Sequence, residues 1–419
     1  MTEFEIARTI LKKLVLEDVP FALVLRQYFK KNTVEPQVKS NVTALVGCEL
    51  RHHYIFDNLI SRYIRDDIEF EKTIYLRFYL ANHLFLRRFK DNELLKLTKE
   101  EMNDEKGVDD LIKFVDSTNE IIPEELDKSS PEFLSLRFNT PVWVIRMWQK
   151  QFGKALVFKV LKVNYRASIA SIRINENHVD VAKFLSNHPD FSEAPVKNMA
   201  IYQGRGNAKG LEEFKKNDVF FMKMATKYIL DRLELDPFKK VAIYSETLNN
   251  IYLDLVSRFG KDYPLELIIN HAPSLFETRR VAKEMGLTHA FIYDSNYSNL
   301  VTCLSNKVNI FLCMPKNTML DLLRSTPDYF LRVKQEQLDG IIQEEFKCLD
   351  ECSKFIEDDG ELVYMIPTLS RKESNSLIAD FLISHPDFSL IEEHQFFPFE
   401  SFDSCMYYAR LKKVGTNND

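Results

Sequence analysis

Glycine is scarce in this chain. Eleven glycines in 419 residues is less than half the usual ~7 %, and none falls between Gly210 and Gly260. A loop that brings its backbone against a bound nucleotide needs glycine, because no Cβ then stands in the way. No loop of that kind can be read in this stretch. Paired cysteines are missing as well. The six cysteines (Cys48, Cys303, Cys313, Cys348, Cys352 and Cys405) form no Cys-x-x-Cys pair, which excludes a disulfide framework and a zinc site of the usual spacing. Cys348 and Cys352, at i, i+4, read as core thiols, and no metal site is expected. No apolar run approaches the ~20 residues needed to cross a bilayer. The first five residues, Met-Thr-Glu-Phe-Glu, are acidic where a signal peptide is basic. Cytoplasm is the expected location, and no membrane partner is expected. Excess positive charge is also absent: 56 Lys and Arg against 62 Asp and Glu leave −6, which argues against a protein that binds nucleic acid over its whole surface.

What is present is an ordinary globular composition, 45 % hydrophobic and 28 % charged, at a length that predicts two or three domains. Residues 1 to about 128 carry apolar residues at helical spacing over 4–16, 19–31, 38–58, 59–65, 71–89 and 91–99. His52 and His53 read as helix-surface residues. A polar, acidic linker with Pro123 and Pro131 follows. From Pro131 to Gly210 the balance reverses, with twelve Lys and Arg against five Asp and Glu. A basic island on an acidic chain is the footprint of phosphate contact; Arg146, Lys150, Lys154, Arg166, Arg173, Arg205 and Lys209 are the candidate contacts. The plainer reading is a solvated helix face. Beyond residue 211 a helix is predicted over 218–233. Strands follow at 241–244, 265–269, 289–293, 308–313 and 362–366, with a closing segment at 405–411. One long helix is predicted from Pro327 to the acidic turn at Asp359-Gly360, and another over 373–384. Strands alternating with helices predict a doubly wound α/β sheet. Two octets, Phe-Leu-Ser-Asn-His-Pro-Asp-Phe at 184–191 and Phe-Leu-Ile-Ser-His-Pro-Asp-Phe at 381–388, read as helix ends cut by proline rather than as a wider repeat.

Several short matches share one source. Leu362-Val363-Tyr364 and His385-Pro386-Asp387-Phe388, with Ala409-Arg410-Leu411 after Asp403, resemble the last third of the Sun-type RNA 5-methylcytosine methyltransferases. Pro141-Val142-Trp143, Trp148, Phe152-Gly153 and the strand Ser171–Asn175 resemble the opening of that family's core. Ala44–Arg51 followed by Ile55, Leu59 and Ile60, together with Thr73–Ala81, resemble the central helices of NusB-like domains, which precede the core in bacterial members. The resemblance implies an α+β multidomain chain. Residues 1–128 would be a helical NusB-like domain, 129–210 a small basic α/β RNA-binding subdomain, and 211–419 a Rossmann-like methyltransferase-type domain. Ribosomal RNA is the implied partner, and a monomer is expected.

The family's chemistry shows where this chain departs from it. A thiolate adds to the cytosine ring and makes the neighbouring carbon nucleophilic toward the methyl group of S-adenosylmethionine. Two cysteines serve, one to attack and one to aid release. In register with them stand Pro367 and Lys316, and the acid that contacts the base is replaced by Cys313. The family's glycine-rich cofactor loop is replaced by Val241–Asn250, and the acid that grips the ribose by His271. Asp294 is the one cofactor-side acid in register; Glu246 and His271 face the altered cleft beside it. The resemblance therefore implies an RNA-binding protein without catalysis or cofactor, with S-adenosylmethionine bound only if the family activity is retained. Two alternatives remain open: a working methyltransferase with a rearranged site around Cys313, and a protein-interaction scaffold that binds no RNA.

Overall fold

The computed structural model describes residues 2–17, 19–64, 68–102, 104–166, 169–204, 206–246, 249–320, 326–400 and 405–415; Arg205 and Asp403 lie outside them. The chain forms two compact units. One takes Met1–Ala167 and Leu322–Gln335, the other Ser168–Asp321 and Glu336–Asp419. These divisions fall elsewhere than the boundaries expected at 128 and 210.

The first unit is helical. Helix Glu3–Glu17 opens with acids in its first turn, which suit the positive end of the helix dipole. Its buried stripe of Phe4, Ala7, Ile10, Leu11 and Leu14 joins Leu45, Val46, Phe56, Leu59, Leu76 and Phe78 in one core. Helix Pro36–Arg51, with proline at its first turn, stops at His52, and a second helix runs from His53 to Tyr63. The break lies well before the one predicted near residue 58. His53 is buried rather than at the surface, because its ring is taken up by the buried carboxylate of Glu49 at 2.7 Å. Helix Phe70–Ala81 passes into a π-helical turn, Asn82–Leu86, and ends with Arg87 in the left-handed region. The unit also holds helices Phe21–Lys31, Asp91–Glu101, Glu105–Ser117, Pro131–Phe138, Val142–Phe152 and Lys154–Asn164, with the short helix Tyr329–Arg332.

The second unit holds two sheets. The smaller is antiparallel, in the order β2-β3-β1-β4, with β1 Ala170–Ile174, β2 Phe191–Glu193, β3 Met199–Tyr202 and β4 Val219–Phe221. Strand β4 falls inside the helix predicted over 218–233. Val219-Phe220-Phe221 pairs with Ile172–Ile174 instead, since β-branched and aromatic side chains fit a pleated, half-buried surface better than a helix. The helix itself is confined to Met224–Leu230.

The larger sheet has the order β10-β11-β9-β8-β5-β6-β7. Its strands are β5 Val241–Ser245, β6 Leu265–Ile269, β7 Ala290–Tyr293, β8 Val308–Met314, β9 Ile356–Ile366, β10 Phe388–Phe396 and β11 Met406–Lys413. Strands β7, β6, β5, β8 and β9 are parallel, and β11 runs against both of its neighbours. The predicted strands are all present. The long helix is not. It begins only at Leu338, after the separate short helix Tyr329–Arg332, and ends at Ser353; Ile356–Gly360 already belongs to β9. Val308 pairs with Ile356 and Ile310 with Glu361, so the extra residues form a bulge that places Asp359 at φ 63°. Because β5 has β6 on one side and β8 on the other, the switch point where open α/β sheets bind ligands lies at the C-terminal end of β5.

Candidate nucleic-acid interface and strand-end cleft

At the switch point, the ends of β5 and β6 meet helices Ile251–Phe259 and Ala272–Met285. Asn249, Tyr252, Ser274 and Thr278 close in beneath Ser245 and Ile269, leaving a cavity of about 10 Å³. That is room for roughly one water, whereas small-molecule sites run to ~300 Å³ and more. S-adenosylmethionine is the group the resemblance implies, and this crevice between β5 and β6 has no room for it. No glycine falls between Gly210 and Gly260, and among the described residues Asn249, Tyr252, Ser274 and Thr278 narrow the space between β5 and β6. His271 does not offer the carboxylate a ribose would need. It caps helix Ala272–Met285, its Nδ1 lying 3.3 Å from the Ser274 amide nitrogen and 2.5 Å from the Ser274 hydroxyl. Glu246 turns back to accept the Tyr244 hydroxyl at 2.6 Å. Asp294 is exposed just past β7.

The ends of β8 and β9 are tied to each other. Lys316 is exposed and Pro367 half-buried, and the backbones beyond them converge on one buried carboxylate. Thr318 donates its N–H and hydroxyl to Glu373 at 2.7 and 2.6 Å, and the Thr368 hydroxyl donates to the same group. Tyr364 donates to Glu345 at 3.2 Å and lies 3.1 Å from the Glu373 carbonyl. Burial first, and then the neighbouring Glu373, push the Glu345 carboxyl up to about 11. Sequence reasoning missed this network. Its one visible signal was Glu345 sharing a helix face with Cys348 and Cys352 at i, i+3 and i+7.

Cys313 is not at the rim of the cleft. In register between Tyr244 and Tyr364, it points into the layer under helix Leu338–Ser353 and is fully buried. Its sulfur lies 3.8 Å from that of Cys348, and the sulfurs of Cys313, Cys348 and Cys352 all lie within 4.8 Å of one another. Burial alone would raise the Cys313 thiol, but hydrogen bonds from the two neighbouring thiols outweigh it and lower it, while Cys348 and Cys352 are pushed up. A low pKa without access makes no nucleophile for a bulky base.

The candidate cations divide between the units. Arg146, Lys150, Lys154 and Arg166 are exposed in the helical unit, Arg146 in an ion pair with Glu132. On helix Lys154–Asn164 and just beyond it, exposed Lys154, Lys159 and Lys162 alternate with the exposed rings of Phe158 and Tyr165. The Lys162 ammonium stands 5.7 Å from the centre of the Phe158 ring. Cations interleaved with aromatic faces suit a nucleic-acid strand, which offers both phosphates and bases. In the second unit Lys209 is exposed. Arg173 must be removed from the candidate contacts. It is 1 % exposed, with Nε 2.6 Å from Asp254 and Nη2 2.7 Å from Glu176, so it joins β1 to helix Ile251–Phe259 rather than facing a ligand.

No family model matches the chain. It is 20 % identical over 410 residues to the probable ribosomal RNA small subunit methyltransferase B of Bacillus subtilis (strain 168), covering 92 % of this chain and 89 % of that one. The crystal structure of PH0851 superposes with a TM-score of 0.76 at 16 % identity, over 97 % of this chain and 98 % of that one. A methyltransferase homolog protein from Pyrococcus horikoshii gives 0.57 at 13 % identity, over 69 % of this chain and 100 % of that one. NSun6 from Pyrococcus horikoshii gives 0.58 at 12 %, over 65 % and 98 %. The likeness read from the motifs thus extends over nearly the whole chain, and the solved structures share its fold.

Proposed function

We propose that this chain, similar over nearly its whole length to Sun-type RNA 5-methylcytosine methyltransferases, binds RNA, ribosomal RNA first of all, and transfers no methyl group. The observation that carries the reading is Pro367 at the C-terminal end of β9, where the family's attacking thiol stands; proline offers no nucleophile. The filled space between β5 and β6, and the Thr318–Glu373–Thr368 stitch across the two loops that hold the family's cysteines, support it. On the RNA side, support comes from Arg146, Lys150, Lys154, Arg166 and Lys209. In this reading residues 1–128 act as a NusB-like domain, 129–210 as the basic subdomain and 211–419 as a non-catalytic methyltransferase-type domain, in a cytoplasmic monomer. Glu246, His271 and Asp294 are turn and cap residues of a former cofactor cleft.

Calorimetric titration of the full chain with S-adenosylmethionine, beside filter retention of ribosomal RNA, tests both halves. No heat at millimolar ligand, with RNA retained and released by salt, is the expected result. Micromolar cofactor binding would sink the non-catalytic half, and RNA retention unchanged by charge reversal at Lys150, Lys154 and Lys209 would sink the RNA half. A second reading, methyl transfer from a rearranged site, draws on the name of the Bacillus subtilis relative and on the low pKa of Cys313. It requires helix Leu338–Ser353 to move aside, and it predicts methylation that Cys313→Ser abolishes.

A further inference from the structure

We infer that the helical unit contains a pocket for one unstacked pyrimidine base, formed where three helix C-termini meet. This rests on the RNA-binding reading above and deepens it. Helices Pro36–Arg51, Pro131–Phe138 and Lys154–Asn164 end around a cavity of about 140 Å³ lined by Arg51, His52, Phe138, Asn164, Tyr165 and Pro327. An apolar cavity of ~150 Å³ is known to hold benzene, so this volume suits a single six-membered ring and is tight for a purine.

The walls suit a base. Converging C-termini bring carbonyl oxygens and negative partial charge, and here side chains tie part of that off. The Asn139 amide donates to Leu50 O at 2.8 Å, and His52 Nδ1–H donates to Cys48 O at 2.8 Å. That bond sets the His52 tautomer, leaving Nε2 to accept the Tyr165 hydroxyl at 2.8 Å. The His52 ring is stacked on Phe85, with centroids 3.6 Å apart, and burial lowers its pKa to about 4, so it is neutral at physiological pH. Phe138 meets Tyr165 edge to face at 6.0 Å, and Tyr165, which lines the cavity, is 42 % exposed.

One group in the lining is unsatisfied. Asn164 is 4 % exposed, and its Nδ2 has no hydrogen-bond partner. A buried donor without an acceptor is costly, by roughly 1–3 kcal/mol; Nδ2 is closed off as the side chain lies, and rotation of the Asn164 amide toward the cavity would bring it to the exocyclic carbonyl of a pyrimidine. Arg51, exposed at the rim, supplies a cation for the adjoining phosphate or a plane on which the base can stack. Unstacked bases held by aromatic and guanidinium planes and read at their edges are a general mode of single-strand RNA recognition.

The test is fluorescence anisotropy of labelled rU6, rC6 and rA6 hexamers with the full chain, at fixed salt. Expected are tighter binding of both pyrimidine hexamers than of rA6, and a loss of about tenfold in Asn164→Leu, the factor one buried hydrogen bond is worth. In that variant the salt slope should be unchanged, because no phosphate contact is removed. Arg51→Gln, at an exposed position, guards against an Asn164 variant that fails to fold; it should weaken the pyrimidine hexamers too. If rA6 binds as tightly as rU6, or if both variants keep the wild-type pyrimidine affinity, the pocket holds water only and the inference is overturned. Retention of ribosomal RNA through Lys150, Lys154 and Lys209 would survive that outcome, so the two readings fail separately.

Discussion

The carboxyl of Glu345 is fully buried against the carboxyl of Glu373. Raised by burial and by its neighbour to about 11, it carries its proton at neutral pH. The stability consequence has a definite sign. Below the unfolded value of ~4.5 both states hold the proton and pH has no effect. Above it only the folded state does, so stability falls as pH rises, by up to ~1.4 kcal/mol per unit. Glu345→Gln removes that slope; urea unfolding between pH 5 and 8 should show the variant gaining on wild type as pH rises, and parallel curves would refute it. The buried cluster at Asp254 gives a second contrast. Asp254 accepts from Arg173 at 2.6 Å and from Arg258 at 2.7 Å. Asp254→Asn leaves the buried Arg173 with only the half-exposed Glu176 as a counter-charge and should cost ~3–5 kcal/mol. Arg173→Met keeps the Asp254–Arg258 pair and should cost about 1–3 kcal/mol. Equal losses in urea midpoint would contradict this account of the cluster.

At the scale of elements, two glycines with opposite surroundings test how helix Leu338–Ser353 and β9 are built. A Cβ on Gly360 would lie 2.9 Å from Asn309 O, Glu357 O and Ile356 Cγ2, whereas one on Gly340 meets nothing within 4 Å. Gly360→Ala should therefore destabilise by roughly 1–3 kcal/mol, and Gly340→Ala should stabilise by about 0.5–1 kcal/mol; thermal melting of both variants is the check. The bulge at Gly360 also explains why the predicted helix ran too long: its acidic residues suit an exposed strand segment as well as a helix end. The two proline-cut octets share more than a helix stop. In each, the histidine lies against the phenylalanine four residues earlier (His188–Phe184 at 4.6 Å, His385–Phe381 at 4.0 Å). In each, the histidine carbonyl accepts the amide that opens the next strand (Phe191 at 2.9 Å, Phe388 at 3.0 Å). Similar residues gave the same helix-to-strand corner twice, with no wider repeat around either.

For the whole molecule the governing quantity is charge. A net −6 repels RNA at long range, so any affinity must come from local phosphate contacts and must fall steeply with salt. Each contact removed lowers the log–log salt slope by about 0.7 on single strands. Lys150→Gln with Lys154→Gln should therefore lower it by about 1.4, read from RNA retention at several salt concentrations. An unchanged slope would place the contacts elsewhere.

Alternation of apolar runs with helical periods was enough to read the doubly wound sheet, because a buried parallel strand must be apolar along its whole length. The absence of glycine from 211 to 259, and proline at position 367, were likewise legible as chemistry the chain lacks. Which cations face solvent was not. Arg173 and Lys209 look alike in sequence, and only the buried Asp254 across from β1 separates them. The direction of Cys313, the carboxyl pair at Glu345 and Glu373, and the pocket at Asn164 also depend on the tertiary structure. Each is assembled from segments far apart in the chain, and burial beside a distant partner leaves no local pattern.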